Sequence, residues 1–268
     1  MAQTTDIYLS VLSDDFGMCE AVNNGIAEAF TQGVLTDANL MAPCRGFDEA
    51  VKLAKTHKIP VGIHNTFTAE WDHLRWTPLT PLRSMMDWDG TFHRTVAAAW
   101  AKADMVEAEK EFRAQWAKIE SAGLKITHSC EHMGADQKLA SLFSRILREK
   151  KVPYRNFSLK GEDYDIPRFQ WTSVFASSDV GLDIATRKSA LKEWIENIGP
   201  GHHIWAAHCA VDDPSLEAMV APLSPIVNWT RLYRVLDQAL ILDPEVRGWI
   251  EKRNIQLTPM SACPTVGW

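Results

Sequence analysis

The stretch Ile7-Tyr8-Leu9-Ser10-Val11-Leu12-Ser13-Asp14-Asp15-Phe16-Gly17 decides how this chain folds. An apolar, β-branched run of strand length ends in two adjacent carboxylates and a glycine, so it reads as a buried strand that leaves through a turn at Gly17. Two carboxylates at the end of an interior strand are costly unless positive charge compensates them. A divalent cation is the simplest compensation, with one carboxylate ligating it and its neighbour free to accept a proton. The competing structural reading has Asp14 or Asp15 capping the helix after the turn.

Outward from that strand, apolar periodicity alternates between the two regular forms. Helices are expected over 19–31, 47–55, 96–122, 138–149, 184–198, 229–242 and 244–253, and strands over 34–41, 59–64, 124–129, 152–156, 172–176, 202–207 and 255–259. Strand and helix in turn imply a parallel sheet in a single α/β domain covering 1–268, and a TIM-barrel-like (β/α) barrel is favoured over an open doubly wound sheet. No Gly-rich dinucleotide fingerprint follows the first strand, and no Walker-type loop occurs. The pattern breaks at 65–95, which holds Trp71, Trp76 and Trp88 among prolines. An excursion of that length in a compact domain reads as a functional insertion or lid.

Composition narrows the class. The chain has 268 residues, 46% hydrophobic and 23% charged, enough apolar side chains for a full core. The net charge of -6, without a basic run, argues against nucleic acid as partner. The five cysteines are scattered with no CxxC pair, so neither a disulfide framework nor a thiolate zinc site is indicated. Residues 1–6 lack a signal-peptide pattern and no apolar run is long enough for a membrane span, so a cytoplasmic protein without membrane contact is expected. The eleven tryptophans supply indole faces that suit sugars, and the mild charge is compatible with a homodimer.

Four predicted strands end in a ligand or proton carrier: Asp14 and Asp15, His64, His132, and His208. In a parallel barrel those ends share one face, where active sites of such folds lie. Two histidines and one carboxylate form a common open site for zinc or another divalent ion. Asp15, His64 and His132 suit the metal, Asp14 the general base and His208 the general acid. His64 reads equally as a structural hydrogen-bonder, and His208 as a capping residue before the 212–214 turn. His128 sits within its strand and reads as support for the site. Glu131 reads as an extra ligand, as a partner that orients His132, or as a solvated loop carboxylate. Arg155, at another strand end, reads as a partner of Asp14, a substrate contact or a surface ion pair. Trp71, Trp76 and Trp88 read as stacking platforms for a sugar ring or as packing within the insertion. Cys130 and Cys209 flank these positions without a nucleophile's signature.

These segments resemble the YdjC-like carbohydrate deacetylases, a family that includes chitooligosaccharide deacetylases. The resemblance rests on Ser13-Asp14-Asp15-Phe16-Gly17 followed by Val22-Asn23-Asn24-Gly25-Ile26, on Gly62-Ile63-His64, on Thr127-His128-Ser129-Cys130-Glu131-His132 and on Ala207-His208. Cys130 and Glu131 stand where that family has Asp and Ser, Gly134 where a further His is common, Cys209 in place of Pro, and Asn65 in place of an apolar residue. The resemblance implies a distorted (β/α) barrel and one divalent metal, zinc or magnesium, on Asp15, His64 and His132. It also implies Asp14 as base and removal of an acetyl group from an N-acetylated sugar. Hydrolysis of another amide, ester or phosphoester on the same barrel, or sugar binding without catalysis, are the alternatives, since fold does not fix chemistry.

Overall fold

The computed structural model describes residues 5–134, 139–155, 165–220 and 229–268. Its strands are β1 (Ile7–Phe16), β2 (Asp37–Leu40), β3 (Val61–Asn65), β4 (Ile126–Glu131), β5 (Arg168–Phe169), β6 (Ser173–Ala176), β7 (Gly201–Ala207), β8 (Gln256–Leu257) and β9 (Thr265–Val266). Its helices are α1 (Glu20–Gln32), α2 (Phe47–His57), α3 (Val96–Ala101), α4 (Met105–Ser121), α5 (Ala140–Lys150), α6 (Ile184–Asn197), α7 (Trp229–Leu242) and α8 (Pro244–Lys252).

The main sheet has seven strands in the order β4-β3-β2-β1-β7-β6, with β8 added beside β1, and all its pairings are parallel. β1 lies at the centre because its side chains are buried on both faces over most of its length, the condition of an interior parallel strand. Isolated parallel bridges carry the order past β4 to Tyr154 and on to Arg168. No pairing among the described residues joins that end to β6, so the architecture stands as a mostly parallel α/β sheet clad in helices. The expected strand at 152–156 is reduced to the bridge at Tyr154, and Asn156 lies outside the described residues, as does Lys138 of the expected helix at 138–149.

The helices pack by the stripes their spacing predicts. α5 buries Leu142, Phe143, Ile146 and Leu147 on one face. The single long helix expected over 96–122 is instead two, α3 and α4. Asp104 accepts hydrogen bonds from the Val106 and Glu107 amides at 2.8 and 3.2 Å and so starts a new helix. Along α4, Val106 is 62% exposed, while Phe112, Trp116 and Ile119 are buried together with Glu111 and Gln115. Those two buried polar groups hold the 66–95 excursion. Glu111 accepts from the Leu79 and Thr80 amides, and Gln115 bonds both backbone groups of Thr66. The excursion therefore packs as part of the core, burying Phe67, Trp71, Trp76, Leu82, Met85 and Phe92. Among the described residues no helix is long and apolar enough to cross a membrane.

Candidate functional site

Parallel strands place all their carboxyl ends on one edge of the sheet, and that edge gathers the candidate groups. Adjacent residues of a regular strand point to opposite faces. Asp14 and Asp15 escape that rule because the β1–β2 register breaks between Ser13 and Phe16, and Asp15 adopts a left-handed φ of 70°. This strained backbone turns both carboxylates toward one cleft. Asn23 braces the turn behind them, accepting from the Gly17 amide and donating to Gly46 and Glu49.

Asp15 lies at the centre. Its Oδ1 is 3.3 Å from His64 Nε2 and 3.1 Å from His132 Nδ1. These three groups are buried and offer ligand atoms within 4.8 Å of one another. Each imidazole is oriented from behind. The Glu70 carboxylate sits 2.9–3.0 Å from His132 Nε2, and Cys130 Sγ sits 3.0 Å from His64 Nδ1. An acceptor on the outer nitrogen leaves the inner lone pair free to bind a cation, the usual arrangement behind metal-ligating histidines. The electrostatics favour a cation as well. Burial lowers the pKa of His132, but Glu70 and Asp15 outweigh it and push the ring up to about 10. The cluster thus attracts a positive charge, and the donor set of one carboxylate and two imidazoles fits a divalent ion.

A second set, Asp14, His64 and Cys130, also brings its ligand atoms within 4.8 Å of one another. It is the poorer cation site, because the Arg155 guanidinium grips both Asp14 oxygens at 2.7 and 2.8 Å. Asn39 adds a 2.5 Å hydrogen bond to Asp14 Oδ1. Burial raises the Asp14 carboxyl, yet Arg155 and then His64 hold it well below the usual carboxylate range. Asp15 is held low in the same way, by Arg234, whose Nη2 lies 2.7 Å from Oδ2, and by the two imidazoles. Gly62 makes room for this frame. A Cβ there would lie 2.4 Å from His128 Nε2 and 2.5 Å from Asn39 Oδ1.

His208 follows β7 and reaches the same cleft, its Nε2 3.9 Å from Asp14 Oδ2. Its Nδ1 meets the Tyr233 hydroxyl at 2.9 Å, and its backbone amide donates to Asp237 Oδ2 at 2.7 Å. Burial pushes its pKa down to about 4 against the pull of Asp15 and Asp14, so the resting ring is neutral. His128 stays behind the strands, bonded to Thr127 Oγ1 at 2.9 Å, with its pKa pushed down to about 3 by burial and Arg155. Glu131 lines the cleft and accepts from the Tyr154 hydroxyl. Trp71 lines it too, and Trp76 packs its ring against His132 at 5.7 Å. Trp88 is not brought to the site: it is 98% exposed at the tip of the excursion's hairpin.

Glu70, Arg234, Tyr233 and Asn39 are the site neighbours that the sequence reading missed. Glu70 sits in the aperiodic insertion, and Thr230, Tyr233, Arg234 and Asp237 recur at helical spacing along one face of α7. That polar stripe on an otherwise amphipathic helix was the one available signal.

A profile of the YdjC-like protein family matches residues 8–252. The chain belongs to this family. The YdjC-like chain is 38% identical over 263 residues to a carbohydrate deacetylase of Brevibacillus brevis, an overlap covering 94% of this chain and 98% of the relative. It is 34% identical over 254 residues to a carbohydrate deacetylase of Geobacillus stearothermophilus, covering 93% and 95%. Its fold is similar to a crystal structure from Enterococcus faecalis described as a putative cellobiose-phosphate cleavage protein, with a TM-score of 0.76, 22% identity and coverage of 95% and 97%. A more distant likeness joins it to a peptidoglycan N-acetylglucosamine deacetylase, with a TM-score of 0.52, 12% identity and coverage of 96% and 88%.

Proposed function

We propose that this chain is a metal-dependent carbohydrate deacetylase that removes the acetyl group from an N-acetylated sugar or oligosaccharide. The observation that carries the reading is the convergence of Asp15, His64 and His132, with ligand atoms within 4.8 Å, beside an Arg-held Asp14 and the partly exposed His208. The names of the two carbohydrate deacetylase relatives support the substrate class. On this reading residues 1–268 form one distorted (β/α) barrel domain in the cytoplasm, and 65–95 walls the site.

A divalent cation on Asp15, His64 and His132, zinc or magnesium, supplies a Lewis acid for the acetyl carbonyl and lowers the pKa of water beside it. The protein's own groups do the rest. Arg155 and Asn39 hold Asp14 ionised and aimed, and Asp14 accepts the proton of the attacking water. A carboxylate held so low is a weak resting place for a proton, and His208 Nε2 stands 3.9 Å away to receive it. His208 then protonates the departing amine. Glu70 and Cys130 keep the two ligating rings in register, and Trp71 walls the cleft.

The test is elemental analysis of protein purified without added metal or a metal-binding tag, run beside acetate release from di-N-acetylchitobiose. Wild type is expected to hold about one equivalent of divalent metal and to lose turnover with chelator, while Asp15→Ala holds none. A wild type that neither contains nor takes up a divalent cation, or whose turnover ignores chelators, overturns the reading.

A further inference from the structure

We propose that Tyr233 is the positioning residue for His208, keeping Nε2 as the nitrogen that carries the proton toward the substrate. The inference rests on the reading of His208 as general acid. The Tyr233 hydroxyl lies 2.9 Å from His208 Nδ1, which leaves Nε2 facing Asp14 and the cleft.

Tyr233 is itself held from two sides. The Arg187 guanidinium covers its ring at 4.8 Å, and Arg187 Nη1 pairs with Asp237 Oδ1 at 2.8 Å. Asp237, one helical turn after Tyr233, takes the His208 amide with its other oxygen. Both the backbone and the ring of His208 are therefore tied to one face of α7. Arg187 and Asp237 are fully buried, so this support does not depend on solvent.

The choice of a phenol has a chemical consequence. A hydroxyl both donates and accepts. Here it accepts from Nδ1–H in both states: the neutral ring keeps its Nε2 lone pair toward Asp14 to receive the proton, and the protonated ring presents Nε2–H to the substrate. A carboxylate in its place would stabilise the imidazolium and weaken it as an acid. Burial keeps the His208 pKa low, and among the described residues Nδ1 meets the phenol rather than a carboxylate. In the step itself the Nε2–H bond breaks as the proton moves to the amide nitrogen. The C–N electron pair stays on that nitrogen, acetate and the free amine separate, and the ring returns to neutral.

Tyr233→Phe tests the inference, since it keeps the ring under Arg187 and deletes only the hydroxyl. On di-N-acetylchitobiose kcat is expected to fall about 10- to 100-fold with KM within about twofold. Hydrolysis of 4-nitrophenyl acetate, whose leaving group needs no proton, is expected to change by less than about threefold. In a His208→Ala background, Tyr233→Phe is expected to have no further effect on the amide. Equal losses on both substrates, no loss on either, or additive losses in the double variant overturn the positioning role. If His208→Ala alone shows the selective amide loss and Tyr233→Phe does not, only this inference fails. If His208→Ala lacks that selectivity, the general-acid reading fails and takes the inference with it.

Discussion

The two halves of the site are built differently. Asp14, Asp15, His64 and His132 lie at or just past the carboxyl ends of β1, β3 and β4, which the parallel sheet brings to one edge. Glu70, Arg234 and Tyr233 come from a loop and a helix, and each acts on a strand-borne group rather than in its place. Strands carry the clustered carboxylates and imidazoles, and the excursion and α7 supply the groups that bond to them. Asp37 makes the contrast sharper. It lies on β2 two residues before Asn39 and is as buried as Asp14 and Asp15, yet among the described residues it meets Thr36 and the Met260 amide rather than a guanidinium. Its Oδ1 has no hydrogen-bond partner among the described residues, and burial pushes its pKa up to about 7, whereas the two Arg-paired carboxylates are driven down.

The division can be broken at its strongest point first. Asp14→Asn removes the base while leaving the Asp15 cluster whole, so turnover is expected to fall by about 10²- to 10⁴-fold with metal content retained. Turnover near wild type in that variant would move the base elsewhere. Glu70→Gln probes the orienting half. It keeps an acceptor but loses the charge, and calorimetric metal affinity is expected to drop about 10- to 100-fold without a change in fold by circular dichroism. Unchanged affinity would reduce Glu70 to packing.

Asp37 gives a smaller effect with a definite sign. Its folded pKa is raised, so its contribution to stability is complete below its unfolded value near 3.8 and is lost as pH climbs through about 7. Asp37→Asn is therefore expected to raise the melting temperature at pH 8 and to leave it nearly unchanged at pH 4. A gain equal at both values would show that the carboxylate was already compensated. Smallest of all is Trp88→Ala. The side chain is 98% exposed away from the cleft, so stability should stay within about 0.5 kcal/mol and KM should not move. A raised KM would bring the tip of the excursion onto the sugar.

Much of this was legible from the chain alone, and the failures share a cause. The strand order was readable because apolar runs precede Asp14, His64 and His208, whereas β4, expected over 124–129, runs over Ile126–Glu131. The break at Asp104 was missed because a single capping carboxylate leaves the apolar count nearly intact. Glu111 and Gln115, polar by type, are buried on α4 to hold backbone groups of the excursion, which apolar periodicity does not register. Trp71, Trp76 and Trp88 look alike in sequence, yet only packing separates the first two, inside, from the third.

By itself the sequence determined which chemical groups end the strands, in what order, and that a parallel sheet would bring them to one edge. Tertiary structure alone decided that adjacent Asp14 and Asp15 share a cleft, through a register break that no local pattern announces. It also decided their partners: Arg155 stands 141 residues from Asp14, and Arg234 stands 219 from Asp15. Hydrophobic periodicity is a local property and survives in the linear chain. Charge compensation of a buried group depends on what packs against it, and only the folded chain sets that distance.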